Sequence, residues 1–136
     1  MRVAVIDGQG GGIGKLITEK LRKSFGENIE ILALGTNALA TTNMLKAGAN
    51  EGATGEGAIT FNANKVDMIV GSLAISIPYA FLGELTPEMA GAVAKSSAKK
   101  ILLPINKCGI ELAVPALDPL PHQIEQLIIK IRRTIS

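Results

Sequence analysis

The sequence predicts an α/β domain with a mainly parallel, doubly wound sheet of about five strands and helices on both faces. Continuous apolar runs alternate along the chain with segments in which apolar residues recur at helical spacing. The first run leads into a glycine-rich turn and then a helix, which is the start of a strand–turn–helix unit. The 136 residues suffice for one domain with its own core, so we interpret residues 1–136 as a single domain.

The N-terminal half predicts two strand–helix pairs. The first helix begins near Gly12 and ends at Gly26, because glycine commonly terminates helices. The second is capped by Thr36 or Asn37, whose side chains accept hydrogen bonds from the first N–H groups of a helix. The predicted bounds are strands over residues 2–7 and 29–34 and helices over residues 12–25 and 37–47.

Residues 48–64 are harder to interpret, because four glycines interrupt them. A short third strand is expected to start at Ala49, and a helix is expected to start near Thr54. This helix would turn Ala58, Ile59 and Phe61 toward the core.

The C-terminal half predicts two further strands, two helices and a hairpin. One helix begins at Thr86-Pro87-Glu88, since a capping hydroxyl, a proline at the first position and an acidic residue all favour a helix N-terminus. The predicted elements are strands over residues 66–71 and 100–105, a helix over residues 86–97, a turn at residues 106–109, a short strand over residues 110–114 that completes a C-terminal hairpin, and a last helix with Ile124, Leu127, Ile128, Ile131 and Ile135 on one side.

Composition argues against several classes of partner. The net charge is +2 and the basic residues are dispersed without interleaved aromatics, so no nucleic-acid partner is expected. Residues 68–83 carry no charge, but this run is shorter than the ~18–20 residues of a spanning helix and contains Pro78, so no membrane contact is expected. The single Cys108 and the lack of a signal peptide predict a cytoplasmic protein.

The glycine-rich turn is the main candidate binding site. Backbone N–H groups at a helix start, together with the helix dipole, favour phosphate or carboxylate. Glycines let the backbone approach such a ligand closely. The competing interpretation is a tight turn that binds nothing. The candidate residues are Asp7, Gly8, Gln9, Gly10, Gly11, Gly12, Ile13, Gly14 and Lys15.

The spacing of these glycines matches neither common nucleotide motif. The dinucleotide fingerprint G-x-G-x-x-G fails because Ile13 stands where the third glycine belongs, and the P-loop fails because Leu16 replaces its hydroxyl residue. The pattern Gly8-x-x-x-Gly12-Ile13-Gly14 resembles the glycine turn of short-chain dehydrogenases. Their Tyr-x-x-x-Lys pair is missing, since Gly83 follows the only tyrosine, Tyr79, at that spacing.

Taken whole, the sequence resembles a family of small, functionally uncharacterised bacterial proteins. The resemblance rests on four segments, and it implies a Rossmann-like, nucleotide-binding fold with no established activity. The segments are residues 5–15 (VIDGQGGGIGK), residues 33–38 (ALGTNA), residues 46–55 (KAGANEGATG) and Asn106-x-Cys108-Gly109.

Further candidate residues follow the other strands. The carboxyl ends of parallel strands meet at one edge of the sheet, where ligands bind. Thr36, Asn37, Ser72 and Asn106 are therefore expected to line the site, although such residues are also ordinary in loops. NAD and NADP are not supported beyond the glycine turn, because no acidic residue follows the second strand to hold a ribose.

The roles of individual side chains stay open at this stage. Asp7 is expected to accept hydrogen bonds from the amides of the glycine turn, and Lys15 either neutralises a bound anion or is merely solvated. Cys108 lies beside Lys107, which would lower its pKa, and His122 is interpreted as a surface residue. No cluster with metal-ligand spacing and no nucleophile–base set is recognised.

Three functions compete. The first is a nucleotide- or phosphometabolite-binding module for a small phosphorylated ligand. The second is a small enzyme that acts on a nucleotide or sugar phosphate. The third is an oligomeric scaffold or regulatory subunit with a degenerate site.

A homodimer is expected to form through residues 73–85. These residues are too apolar for an exposed loop, and two-fold symmetry is the commonest way to bury such a patch. The alternative is that the loop folds over its own sheet as a ligand lid.

Overall fold

Five parallel strands form one sheet in the order β3-β2-β1-β4-β5. The computed structural model describes residues 1–105, 109–115 and 118–135. Within that part of the chain the prediction of an α/β fold with a mainly parallel sheet of about five strands is confirmed, and all the strand pairings are parallel. The strand order reverses between β1 and β4, which is where a ligand crevice is expected. The strands are β1 (Arg2–Asp7), β2 (Glu30–Gly35), β3 (Glu51–Thr54), β4 (Met68–Ser72) and β5 (Lys99–Leu103).

Helices cover both faces of the sheet. On one face, α1, α2 and α5 pack against a core centred on Val3, Val5 and Ile31. On the other face, α3 and α4 cover Ala4, Ile6 and the other strand residues that alternate with those of the first face. The helices are α1 (Gly12–Phe25), α2 (Ala38–Lys46), α3 (Glu56–Asn62), α4 (Pro87–Lys95) and α5 (Leu120–Ile135), with 3-10 turns at Gly26–Asn28 and Leu73–Ser76.

The helix starts follow the capping chemistry of the sequence. Asn37 caps α2 by accepting a hydrogen bond from the N–H of Ala40, and Thr86 caps α4 by accepting one from Met89. The first turn of α1 has no side-chain cap, because its N-cap is Gly11 in the left-handed conformation. The start of α1 therefore depends on other partners for its N–H groups.

Two predictions about individual segments are wrong. Phe61 is 66% exposed rather than buried, because Ile59 takes the inward position of the short helix α3 and the Phe61 ring lies beneath the Lys65 ammonium. Residues 110–114 form no strand and hence no C-terminal hairpin. The N–H of Val114 donates to the carbonyl of Leu112, and this bond between residues two apart bends the backbone out of an extended path.

Candidate functional site

The glycine turn after β1 has a fixed backbone conformation. Gly11 adopts a φ of 71°, and its N–H donates to the carbonyl of Gly8 at 2.9 Å. Two asparagines of the α2 region bind the carbonyls of the turn: Asn37 donates to Gln9 O at 2.9 Å and Asn43 to Gly10 O at 2.7 Å. Side chains of the protein therefore occupy the carbonyls of Gln9 and Gly10. The backbone N–H groups form the other side of the turn.

Asp7 closes the base of this turn. Its Oδ1 accepts from the N–H of Gly8 at 2.8 Å and its Oδ2 from the N–H of Gly14 at 2.6 Å, as the sequence predicts. Burial raises the pKa of the Asp7 carboxyl above its ordinary value, the two N–H bonds oppose this, and the charge of Glu84 adds to it. Asp7 is thus a structural acceptor with both oxygens occupied.

The first turn of α1 leaves two N–H groups without a protein acceptor. The N–H of Gly11 bonds to Gly8 and that of Gly14 bonds to Asp7. The N–H groups of Gly12 and Ile13 have no acceptor within the part of the chain that the structure describes. Because these donors lie at the positive end of the helix dipole, this position favours an anion.

The glycines of the turn divide into two kinds. A Cβ on Gly8 would lie 2.7 Å from the ring of Phe81, and one on Gly14 would lie 2.7 Å from the Met44 sulfur, so both are required by packing. A Cβ on Gly10 or Gly12 would meet no atom within 4 Å. The second pair therefore has no packing role, and its small size leaves space above the turn.

Ser72 ends β4 directly across the crevice. The register pairs Val5 with Val70, which brings Asp7 and Ser72, each two residues further along, to the same level of the sheet. The Ser72 side chain is buried, and its hydroxyl has no hydrogen-bond partner in the described structure. A buried polar group without a partner costs about 1–3 kcal/mol, so its presence here calls for an explanation.

A cavity of about 720 Å³ connects these features. Its polar wall is the glycine turn with Ser72, and its apolar wall comes from residues 77–82, Ala74 and Ile105. We call residues 77–85 the covering loop, because they fold back over the glycine turn. The residues that line the cavity are Asp7, Gly8, Gln9, Gly10, Gly11, Gly12, Ile13, Ser72, Ala74, Ile77, Pro78, Tyr79, Ala80, Phe81, Leu82 and Ile105.

The covering loop brings a carboxylate to the end of β2. Glu84 Oε1 accepts hydrogen bonds from Thr36 Oγ1 at 2.6 Å, Gln9 N–H at 2.8 Å and Asn37 Nδ2 at 2.9 Å. Burial acts to raise the pKa of the Glu84 carboxyl, but these three hydrogen bonds outweigh it and hold the pKa below its ordinary value. Glu84 was not predicted as a site residue from the sequence, because no local motif connects position 84 to position 9.

Some of the other candidate residues lie outside the cavity lining, and two lie outside the described part of the chain. Thr36 and Asn37 bind Glu84 and are not among the residues that line the cavity. Lys15 is exposed on the first turn of α1 and also lies outside the lining. Asn106 and Cys108 lie outside the described residues.

Residues 1–105, 109–115 and 118–135 contain no group of three or more His, Cys, Asp or Glu side chains that could hold a metal ion. Among the helices of this same part of the chain, none is long and apolar enough to cross a membrane.

Comparison with known proteins gives one structural similarity and one family. A solved structure described as a universal stress protein in complex with cAMP aligns with 73% of this chain and 94% of that chain, at 17% sequence identity and a TM-score of 0.42. This similarity is too low to carry an argument about the ligand of this chain. Curated proteins yield no match. The resemblance to an uncharacterised family is confirmed by a family model that matches residues 2–136, and the chain belongs to that family, described as domain of unknown function DUF3842.

Proposed function

We propose that the protein is a small nucleotide- or phosphometabolite-binding domain that holds a phosphate group at the start of α1. One observation carries this proposal: the unpaired, buried Ser72 hydroxyl lines the same cavity as the unpaired N–H groups of Gly12 and Ile13. A phosphate oxygen accepts hydrogen bonds from all of these donors. Binding would therefore satisfy groups that the protein alone leaves unsatisfied.

The size and lining of the cavity support a ligand larger than the phosphate itself. A volume of about 720 Å³ falls within the range of small-molecule sites. The apolar wall formed by Ala74, Ile77 and the covering loop suits a nucleobase or another flat apolar group. The phosphate would then face the glycine turn, and the rest of the ligand would face β4.

We propose binding rather than catalysis as the primary role. Among the described residues at the crevice, the carboxylates are Asp7 and Glu84; both oxygens of Asp7 accept N–H groups of the protein itself, and Glu84 is not among the residues that line the cavity. A general base must instead be free to take a proton from a substrate. The small-enzyme alternative therefore has less support than the binding module.

The proposal predicts that Gly12→Val abolishes ligand binding without unfolding the protein. A side chain at Gly12 would meet no protein atom within 4 Å, and Gly12 is one of the residues that line the cavity. Wild-type protein should show a higher melting temperature with at least one compound from a panel of nucleotides and sugar phosphates, and Gly12→Val should show no such shift. Differential scanning fluorimetry measures both.

Gly57→Val is the matched control, because Gly57 also lies in the first turn of a helix, has open space around it and is remote from the cavity lining. This variant should keep the ligand-induced shift. If no compound stabilises the wild type, or if Gly12→Val keeps the shift, the binding proposal is wrong.

We also propose that the protein forms a homodimer through the covering loop. Leu82 is 96% exposed and Tyr79 is 68% exposed, and both adopt positive φ angles. A left-handed backbone is unfavourable for such side chains, and here it occurs at two large side chains that are mostly exposed. Contact with a second copy would bury them.

A further inference from the structure

The β2 side of the crevice is filled by the protein's own covering loop. Glu84 occupies the end of β2 through its hydrogen bonds to Thr36, Asn37 and the N–H of Gln9. The Phe81 ring of the same loop packs on Gly8, where an added Cβ would lie 2.7 Å from the ring and 2.7 Å from the Thr36 hydroxyl. None of Thr36, Asn37 and Glu84 is among the residues that line the cavity. The open space lies on the β4 side only.

This asymmetry limits the ligands that the phosphate site accepts. In dinucleotide-binding sheets of this kind, the pyrophosphate lies on the glycine turn and one nucleoside extends to the end of β2. A pyrophosphate diester carries a substituent on each side, whereas a phosphate monoester carries only one. A monoester fits a crevice that is open on one side, and a diester does not.

On the basis of the proposed phosphate site, we infer that the protein binds phosphate monoesters, with the substituent over β4 and the covering loop, and that Glu84 is the specificity-determining residue that excludes dinucleotides. Glu84 acts in two ways. Its side chain occupies the position of the second nucleoside, and its carboxylate repels a second phosphate near Gln9. Both effects depend on the reach and the charge of this one side chain.

The apolar wall identifies the kind of substituent. Ala74 and Ile105, which follow β4 and β5, belong to the apolar wall together with Ile77. The polar side chains of the lining are Ser72, Gln9, Tyr79 and Asp7, and both oxygens of Asp7 are already occupied by N–H groups. A flat apolar ring would cover the apolar wall, and few side chains are available to bind the hydroxyls of a large sugar. Nucleoside monophosphates are the natural first probes, because they join one phosphate to one such ring.

Isothermal titration calorimetry with matched ligands tests the inference. The probes are AMP, GMP, CMP and UMP, each compared with the symmetrical dinucleoside diphosphate of the same base. ADP and the other nucleoside diphosphates separate the effect of the second phosphate from that of the second nucleoside. Wild-type protein should bind its preferred monophosphate at least about tenfold more tightly than the matching dinucleoside diphosphate.

Variants of Glu84 assign the discrimination to this side chain. In Glu84→Ala the affinity ratio should fall to less than about threefold, because the β2 side opens and the repulsion is lost. Glu84→Gln keeps an acceptor oxygen and most of the volume, so it should accept the diphosphates but still exclude the second nucleoside. Glu84→Asp keeps the charge with a shorter reach, so it should still bind ADP more weakly than AMP and should lower the affinity ratio less than Glu84→Ala does. Circular dichroism confirms that each variant is folded.

The outcomes separate this inference from the proposed function. Tight binding of monophosphates with equally tight binding of the dinucleoside diphosphates in wild type overturns the inference and leaves the phosphate site intact. An unchanged ratio in folded Glu84→Ala also overturns it. If no nucleotide binds the wild type at all, the proposed nucleotide site and this inference are both wrong.

Discussion

At the scale of single residues, the polar side chains around the crevice differ sharply in how many hydrogen bonds they make. Asp7 has both oxygens occupied and Glu84 accepts three hydrogen bonds at one oxygen, whereas Ser72 has no partner. A protein keeps an unpaired buried hydroxyl at a cost of about 1–3 kcal/mol, although an alanine would fit the same space. Such a cost is typical of a functional position.

Ser72→Ala should therefore have opposite effects on stability and on binding. Without ligand, the melting temperature should stay the same or rise, because the variant removes an unsatisfied buried group. With ligand, the binding free energy should weaken by about 1.5–3 kcal/mol, the net value of one hydrogen bond to a charged group. Thermal melts and calorimetry on the same preparations measure the two effects. A clear loss of stability without ligand would show that the Ser72 hydroxyl has a structural partner.

Residue roles were predictable where chemistry is local. The contacts of Asp7 join residues at most seven positions apart, and Asn37 caps the helix that begins at the next residue. The contacts of Glu84 join positions 75, 48 and 47 residues apart, and no local pattern reports them. For this reason the sequence predicted the glycine turn but not the carboxylate at the end of β2.

At the scale of elements, the covering loop is the least ordinary part of the fold. Three of its non-glycine residues, Tyr79, Phe81 and Leu82, adopt positive φ angles, which is strained for bulky side chains. The strain is offset by hydrogen bonds within the loop, including Tyr79 N–H to Leu85 O at 2.6 Å, and by Glu84. The Glu84 contact should therefore control whether the loop stays in place.

This contact should weaken at acid pH. The pKa of Glu84 is lowered from its ordinary value of 4.5, so the carboxylate stabilises the folded loop above that pH and loses this effect as the pH falls through the lower value of the folded state. Tyr79 lies in the same loop and is the only tyrosine in a chain without tryptophan. Its fluorescence should change below pH 4.5, while circular dichroism stays constant.

Glu84→Gln provides the control, because its side chain does not titrate. Asp7 is the nearby group that also titrates, and burial raises its pKa from the ordinary value of 3.8, whereas the pKa of Glu84 is lowered. A fluorescence change that persists in Glu84→Gln would assign the transition to Asp7 or to general unfolding, and would contradict the role given to Glu84.

At the scale of the whole molecule, the sheet was predictable because its strands are buried on both faces. Continuous apolar runs such as residues 3–6 identify the strands, and the helical stripes between them require parallel connections. Residues 73–85 were less predictable, because their apolar residues serve two purposes. Ala74, Ile75 and Ala80 are buried in the domain's own core, and Tyr79 and Leu82 are exposed. Residues 73–85 thus cover the sheet of their own domain, as the lid alternative expected, but two of their large apolar side chains remain exposed.

Because some apolar side chains of residues 73–85 are buried and others are exposed, only a substitution at an exposed one tests the homodimer without disturbing the fold. Phe81 is partly buried and packs on Gly8, so a charge at this position would disturb the fold as well as any interface. Leu82 is 96% exposed with a φ of 56°, and asparagine tolerates this left-handed conformation better than leucine does. Leu82→Asn therefore removes the apolar contact and relieves backbone strain at the same position.

Wild-type protein should be a dimer by light scattering, and Leu82→Asn should shift it toward the monomer at equal concentration. The isolated variant should be at least as stable as the wild type at high dilution, with a gain of up to about 1 kcal/mol from the relieved φ angle.

Leu39→Asn is the control, because Leu39 is 59% exposed on α2 and outside the covering loop, and it should leave the dimer unchanged. A wild type that remains monomeric at high micromolar concentration contradicts the dimer. A dimer that persists in Leu82→Asn places the interface on another surface, and the exposure of Leu82 would then have to be explained by the ligand.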